Sequence, residues 1–283
     1  MTIRWYPGHM GKAYESIQDL IKRIDVVIEV LDARLPHASA NHKLAEMRRT
    51  KPWIKLLNKA DLADPAITRL WVKELEQEAG VHALPLTARK HSDTKQLIAL
   101  CKKLAPKRGK PGFPVRVMVV GIPNVGKSTL INTLDGRSAA KVGDRPAITT
   151  STQLIDLKNG VVLNDTPGVL WPEMSDQEGA IRLAASGAIG DNAFDYGVVG
   201  LFAGGYLLEH YPAPLLERYG LAELPAGPAE LLEAVGRRLG TLAAGGVVDQ
   251  GRAAEALLRE MRSGKLGRIS LEAPLPPPEE QLL

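Results

Sequence analysis

A glycine-rich segment, Gly121-Ile-Pro-Asn-Val-Gly126-Lys127-Ser128, has the residue types and spacing that bind a polyphosphate. Glycines at both ends let the backbone turn its N–H groups toward phosphate oxygens. We expect Lys127 to reach the β- and γ-phosphates of a nucleotide and Ser128 to place its hydroxyl on Mg²⁺. The contacts expected in this phosphate-binding loop (P-loop) come from Gly121, Asn124, Val125, Gly126, Lys127, Ser128 and Thr129.

Two segments after the P-loop could complete a site for Mg²⁺ and a triphosphate. Asp165-Thr-Pro-Gly168 has the D-x-x-G pattern at a suitable distance from the P-loop. We expect Asp165 to hold Mg²⁺ through water and the Gly168 N–H to contact the γ-phosphate. Between the two motifs, either Thr149 or Thr150 is expected to close over Mg²⁺ when GTP is bound. The alternative for this pair is a plain threonine-rich loop.

A motif that could read guanine, Asn58-Lys59-Ala60-Asp61, precedes the P-loop. The Asp61 carboxylate can accept two hydrogen bonds from guanine, whereas adenine would leave it unpaired at a high cost. Lys59 can lay its stem on the base, and Asn58 can bridge the base to neighbouring loops. Thr87-Ala88 is expected to contact the guanine O6 through its backbone. The alternative for Asn58–Asp61 is a helix-capping turn, since Asn and Asp both cap helices well.

Each motif follows a predicted strand, and the strands alternate with amphipathic helices. The strands are expected at 26–31, 53–57, 81–86 and 115–120, with a strand pair at 154–157 and 161–163, and the helices at 12–24, 66–79, 94–104 and 127–134. This pattern predicts an α/β domain over residues 1–172, with a mostly parallel, doubly wound sheet that binds its ligand along one edge.

The remainder of the chain changes character, because the strand patterns stop after Pro172. Helices are expected at 180–186, 198–210, 228–239 and 250–263. In the last of these, Ala254, Leu257, Leu258 and Met261 form one apolar stripe. We therefore predict a separate all-helical domain over residues 177–283.

The order of the motifs is the reverse of that in an ordinary small GTPase. Such a permutation leaves the sheet intact, since the termini of compact domains often lie close together. With these motifs in this order, the chain resembles the YlqF-type circularly permuted GTPases over essentially its whole length. Trp5–Met10 and Asp32-Ala33-Arg34 look like hallmarks of that family. Ala147 is a departure, because the family commonly has Gly there.

The resemblance implies slow GTP hydrolysis that is stimulated by ribosomal subunits. It also implies a role in late assembly of the large ribosomal subunit, with binding to rRNA in the GTP state. A different class of function stays open, that of a GTP-gated regulator of a non-ribosomal protein partner. A metabolic kinase is disfavoured by Asn58–Asp61.

The residue that positions the attacking water is not in its usual place. Ras-like enzymes use a Gln directly after D-x-x-G, but this chain has Val169 followed by Leu170. The family resemblance implies that His9 takes the catalytic role, and a histidine can orient water at neutral pH. The alternative is that His9 is structural or contacts RNA.

A second cation is indicated by Asn124 inside the P-loop. In GTPases with the pattern G-x-P-N-x-G-K-S, this asparagine resembles a ligand of K⁺, which could supply the charge that an arginine finger gives elsewhere. The alternative is an ordinary loop asparagine.

Basic residues near the end of the chain are the candidates for RNA binding. Composition alone indicates a charged helix face exposed to solvent, but the family resemblance favours contacts with rRNA phosphates. The candidates are Arg252, Arg259, Arg262, Lys265 and Arg268.

Composition and charge fit a globular protein that acts in the cytoplasm. The net charge of +4 is compatible with a nucleic-acid partner but does not require one. Cys101 is the only cysteine, so a disulfide within one chain is not expected, as is usual in a reducing compartment. We expect no membrane span and no signal peptide, and we expect a monomer.

Overall fold

The computed structural model describes residues 10–48, 50–136, 153–166 and 177–275. These residues include a six-stranded sheet with the strand order β3-β2-β1-β4-β6-β5. Only the edge strand β5 is antiparallel to its neighbour. The strands are β1 (Val26–Asp32), β2 (Trp53–Asn58), β3 (Val81–Pro85), β4 (Val115–Val120), β5 (Gln153–Asp156) and β6 (Val161–Asp165). The predicted α/β class with a mostly parallel sheet is confirmed.

Helices connect the strands and cover the sheet, as continuous apolar strands require. β1 and β2 are buried along their whole length. Asp64 starts α3 by accepting hydrogen bonds from the backbone N–H groups of Ala66 and Ile67, with Pro65 in the first turn. The helices of this part are α1 (Met10–Ile21), α2 (His42–Met47), α3 (Pro65–Leu75), α4 (His91–Leu104) and α5 (Lys127–Asp135).

The second part of the described chain is helical, as predicted. Its helices are α6 (Gln177–Ser186), α7 (Tyr196–His210), α8 (Pro212–Tyr219), α9 (Pro228–Leu239) and α10 (Gln250–Ser263). α7 and α10 pack so closely at Gly200 that an added Cβ would lie 2.4 Å from the Cβ of Ala254. Among the described helices, none is long and apolar enough to cross a bilayer.

After α10 the chain returns to the α/β part as an extended segment, residues 268–272, which we call the C-terminal strap. The Ile269 N–H donates to Leu62 O (2.9 Å), and the Leu271 N–H donates to Arg34 O (2.7 Å). The buried Glu272 carboxylate accepts hydrogen bonds from the N–H groups of His37 and Ala38. The strap therefore lies along the loops that follow β1 and β2.

The sequence predictions miss two short helices and misplace some ends. α2 has six residues, too few for a periodic pattern, and α8 follows α7 directly at Pro212. The helix predicted at 66–79 ends at Leu75, because the chain turns there into β3. In that turn Gly80 has φ 76° and the Val81 N–H donates to Glu78 O. The helix predicted at 12–24 runs from Met10 to Ile21.

Candidate nucleotide-binding site

The predicted P-loop joins β4 to α5 at the carboxyl edge of the sheet. Gly121 and Gly126 have φ values of 148° and 102°, which favour glycine. A Cβ added at Gly121 would lie 2.5 Å from Val30 O, and one added at Gly126 would lie 2.3 Å from Asn58 Nδ2. Both glycines are therefore required by close contacts as well as by their backbone angles.

Lys127 is folded back onto the loop that it belongs to. Its Nζ donates to Gly121 O (3.0 Å) and Ile122 O (2.8 Å), and the side chain is buried. Burial lowers the pKa of Lys127 to about 8, and the negative charge of Asp165 opposes part of that fall. The ammonium thus lies at the start of α5, where a phosphate would neutralise it.

Asn58 connects three loops at the nucleotide edge of the sheet. Its Nδ2 donates to Val125 O of the P-loop (2.7 Å), and its Oδ1 accepts from the Ala88 N–H (2.9 Å). Asn58 therefore links the P-loop to the loop after β3. These hydrogen bonds place the P-loop, the Asn58–Asp61 motif and the loop after β3 around one position.

The other residues of the guanine motif meet the same loops. Lys59 has φ 61° and donates from Nζ to Asn124 O (3.2 Å) and to Asp32 Oδ2 (2.8 Å). The Asp61 carboxylate accepts from the Thr87 hydroxyl (3.1 Å). Asp61 and Thr87 thus lie in contact, beside Ala88 of the loop after β3. The contact between Lys59 and Asp32 was not predicted from the sequence. The signal that could have found it is the acidic residue at the end of β1, which lies in register with Asn58 of β2.

Ser128 and Asp165 offer oxygen atoms of the kind that Mg²⁺ prefers. Asp165 ends β6, is buried and pairs in register with Val119 of β4, directly before the P-loop. Ser128 lies in the first turn of α5. The buried carboxylate and the hydroxyl therefore fit a Mg²⁺ bound beside the phosphates. His9, Thr149, Thr150 and Gly168 lie outside the described residues, as do Trp5–Pro7, Ala147, Val169 and Leu170.

The helical part touches the nucleotide loops directly. Asn124 Nδ2 lies 3.4 Å from Ala188 O, just after α6. Arg34 Nη2 donates to Ser186 O at the end of α6 (3.0 Å). On the strap, Arg268 Nη2 donates to Ala60 O, inside the guanine motif (2.8 Å).

The five basic candidates for RNA binding differ in their surroundings. Arg262 is half-buried and donates to Ala184 O and Ala185 O, so it anchors the end of α6. Arg259 is exposed and pairs with Glu255, whereas Lys265 is exposed near Glu260. Arg252 and Arg268 are exposed as well.

Motifs for guanine and for phosphate thus follow β2 and β4, which lie on either side of β1 in one mostly parallel sheet. With the guanine motif first in the chain, they define a circularly permuted P-loop GTPase. A family model described as a 50S ribosome-binding GTPase matches residues 116–193. The chain is 42% identical to ribosome biogenesis GTPase A of Bacillus cereus, over 97% of this chain and 95% of that protein. It is 33% identical to mitochondrial ribosome-associated GTPase 1 of Mus musculus, over 97% and 91%.

Solved structures agree with this assignment. A GNP-bound YlqF from T. maritima superposes with a TM-score of 0.64 at 30% identity, covering 93% of this chain and 98% of that one. A GDP-bound YlqF gives a TM-score of 0.66 at 29% identity. The chain belongs to the ribosome biogenesis GTPase A (YlqF) family, and it is a GTPase that depends on Mg²⁺.

Proposed function

We propose that this GTPase is a switch in late assembly of the large ribosomal subunit and that it binds rRNA of pre-ribosomal particles in its GTP state. The observation that carries the proposal is the direct contact of the helical part with both nucleotide loops, at Asn124 with Ala188 and at Arg268 with Ala60. A change at the γ-phosphate can thereby bias the orientation of the helices. The names of its relatives, ribosome biogenesis GTPase A among them, support the ribosome as the partner.

Nucleotide binding in this proposal uses the groups at the carboxyl edge of the sheet. Asp61 accepts hydrogen bonds from guanine, Lys59 covers the base, and the backbone of Thr87-Ala88 contacts O6. Lys127 leaves Gly121 O and Ile122 O and binds the phosphates. Ser128, either Thr149 or Thr150 and, through water, Asp165 would hold Mg²⁺, which would supply positive charge at the phosphates.

Hydrolysis in this proposal relies on His9 to orient water, because Val169 occupies the position of the usual glutamine. K⁺ at Asn124 supplies positive charge at the phosphates. Intrinsic turnover is slow, and the ribosomal particle stimulates it by placing His9 beside the nucleotide.

The proposed rRNA surface lies on the helical domain, residues 177–283, which follows a GTPase domain of residues 1–172. Arg252, Arg259, Lys265 and Arg268 are exposed and can contact phosphates. Arg262 contributes indirectly, since its guanidinium is engaged by α6. Phosphate contacts make such binding strongly dependent on salt. The protein acts as a monomer in the cytoplasm.

The test is co-sedimentation with ribosomal subunits in a density gradient. The chain is mixed with purified small and large subunits and with immature large subunits, in a non-hydrolysable GTP analogue or in GDP. We expect binding to large-subunit particles with the analogue and release with GDP. Equal binding in both nucleotides, or none, contradicts the proposal, and the second result favours a GTP-gated regulator of a non-ribosomal partner.

A further inference from the structure

Asp32 and Arg34, at the end of β1, form a buried ion pair beside the guanine motif. Arg34 donates from Nε to Asp32 Oδ1 (2.9 Å) and from Nη2 to Oδ2 (2.7 Å). The side chains are only 1% and 3% exposed. Lys59 Nζ donates to the same Oδ2 (2.8 Å). One buried carboxylate therefore holds two cations, and one of them belongs to the guanine motif.

The pair keeps Asp32 ionised in a place that disfavours charge. Burial alone would raise the pKa of Asp32, but the positive charges of Arg34 and Lys59 hold it well below its usual range. A bidentate arginine fixes both carboxylate oxygens, which a lysine cannot do. Oδ2 is thereby held at a defined distance from Lys59.

The backbone of Lys59 gives an independent reason for such a partner. Its φ of 61° lies in the left-handed region, which a lysine rarely adopts. Strain of this kind persists only where surrounding contacts hold the residue in place. Two contacts of Nζ, with Asp32 Oδ2 and Asn124 O, meet that requirement.

We propose that Asp32 and Arg34 are positioning residues for guanine nucleotides: Asp32 fixes the ammonium of Lys59 so that its aliphatic stem covers the base, and Arg34 fixes Asp32. This rests on the role of Lys59 proposed above. Arg34 also donates to Ser186 O and accepts from the Leu271 N–H. The same pair therefore joins the guanine motif to α6 and to the C-terminal strap.

The experiment compares Asp32→Asn with Glu29→Gln in the full chain. Glu29 is a matched control because it lies on the same strand, is buried and pairs with Lys55, and its hydrogen bonds to described residues are to Asn41, Trp53 and Lys55 rather than to a nucleotide loop. Binding of a fluorescent GDP analogue and the melting temperature are measured for both. We expect Asp32→Asn to weaken GDP binding by about tenfold or more, and Glu29→Gln to leave it within about twofold. Wild-type affinity in Asp32→Asn, or an equal loss in both variants, overturns the proposal.

A second matched pair covers the case in which Asp32→Asn does not fold. Arg34→Lys keeps the charge but loses the bidentate contact, and Arg218→Lys makes the same change in the Arg218–Glu260 pair of the helical part. We expect Arg34→Lys to raise KM for GTP several-fold with kcat nearly unchanged at saturation, and Arg218→Lys to change neither. A fall in kcat without a change in KM overturns the positioning role.

A double mutant distinguishes the role of Lys59 from the positioning role of Asp32. Lys59→Ala should weaken GDP binding, and adding Asp32→Asn to it should cause little further loss. If Lys59→Ala binds GDP as the wild type does, the proposed role of Lys59 fails as well. A full additional loss in the double mutant instead overturns the positioning role alone.

Discussion

Asn58 Nδ2 donates a 2.7 Å hydrogen bond to Val125 O, so the first residue of the guanine motif holds the P-loop from the side. The same amide lies so close to Gly126 that a Cβ there would be 2.3 Å away. Guanine and phosphate recognition therefore share one contact, although their motifs are far apart in the chain. The permutation leaves this contact intact because it depends on the positions of β2 and β4 on either side of β1 in the sheet, and not on their order along the chain.

The first prediction concerns this close approach. Gly126→Ala adds a Cβ that meets Asn58 Nδ2 and forces a side chain into φ 102°. We expect GDP affinity to fall by at least about tenfold, since strain of about 1–3 kcal/mol adds to the displaced amide. Gly136→Ala is the control, because it has φ 70° with no atom of the described residues within 4 Å of the added Cβ. An equal loss of GDP binding in both variants would show that the contact with Asn58 is unimportant.

The second prediction tests potassium at Asn124. Asn124→Gly removes the side chain and keeps the backbone, since glycine readily adopts φ 55°. In the wild type we expect kcat to be several-fold higher in KCl than in NaCl at equal ionic strength. The variant should show the same low kcat in both salts. Equal turnover of the wild type in the two salts rules out a K⁺ requirement.

The third prediction follows from the pKa of Lys127, which burial lowers to about 8. Near pH 8 about half of the nucleotide-free protein has a neutral Lys127, and GDP binding restores the full charge. Binding should therefore take up roughly half a proton at pH 8 and much less at pH 6.5. Calorimetry in buffers of different ionisation enthalpy measures this uptake. Lys127→Met should abolish it, and unchanged uptake in that variant would assign the proton to another group.

The same pKa has a consequence for folding of the nucleotide-free chain. The folded pKa of about 8 lies below the ordinary lysine value of about 10.4. Between these two pH values the unfolded chain binds more protons, so this group makes the folded state more stable as pH rises. Below pH 8 both states are protonated and the cost of burying the charge is present in full.

Local patterns in the sequence predict most of this fold and the loops of the site. The strand at 115–120 and the helices at 228–239 and 250–263 have the predicted bounds, because apolar periodicity and glycine ends define them locally. The contact of Lys59 with Asp32 was missed because it joins two strands whose register depends on the assembled sheet. The return of the C-terminal strap was missed for a similar reason. Its anchor Glu272 is a charged residue in a Pro-rich segment, and its burial is explained by hydrogen bonds from the distant N–H groups of His37 and Ala38.

The fourth prediction concerns packing in the helical part. Gly200→Ala would place its Cβ 2.4 Å from the Cβ of Ala254, so α7 and α10 would have to move apart. We expect the free energy of unfolding to fall by about 1–3 kcal/mol. Gly205 lies in the same helix, and an added Cβ there meets no atom of the described part of the chain within 4 Å, so Gly205→Ala should stabilise the protein by about 0.5–1 kcal/mol. Urea unfolding measures both, and a loss of stability at Gly205 as large as that at Gly200 would contradict the packing argument.

The last prediction separates nucleotide control from RNA affinity. Arg268 and Arg259 are both exposed and both candidates for rRNA, but Arg268 donates to Ala60 O within the guanine motif while Arg259 pairs with Glu255. Loss of a hydrogen bond at an exposed site costs about 0.5–1.5 kcal/mol. Arg268→Ala should therefore release GDP about two- to tenfold faster, whereas Arg259→Ala should release it as the wild type does. Stopped-flow displacement of a fluorescent GDP analogue measures the rate of GDP release. The affinity for RNA, measured in a salt titration, should be lower in both variants than in the wild type. If the two variants release GDP equally, the strap does not restrain the guanine motif.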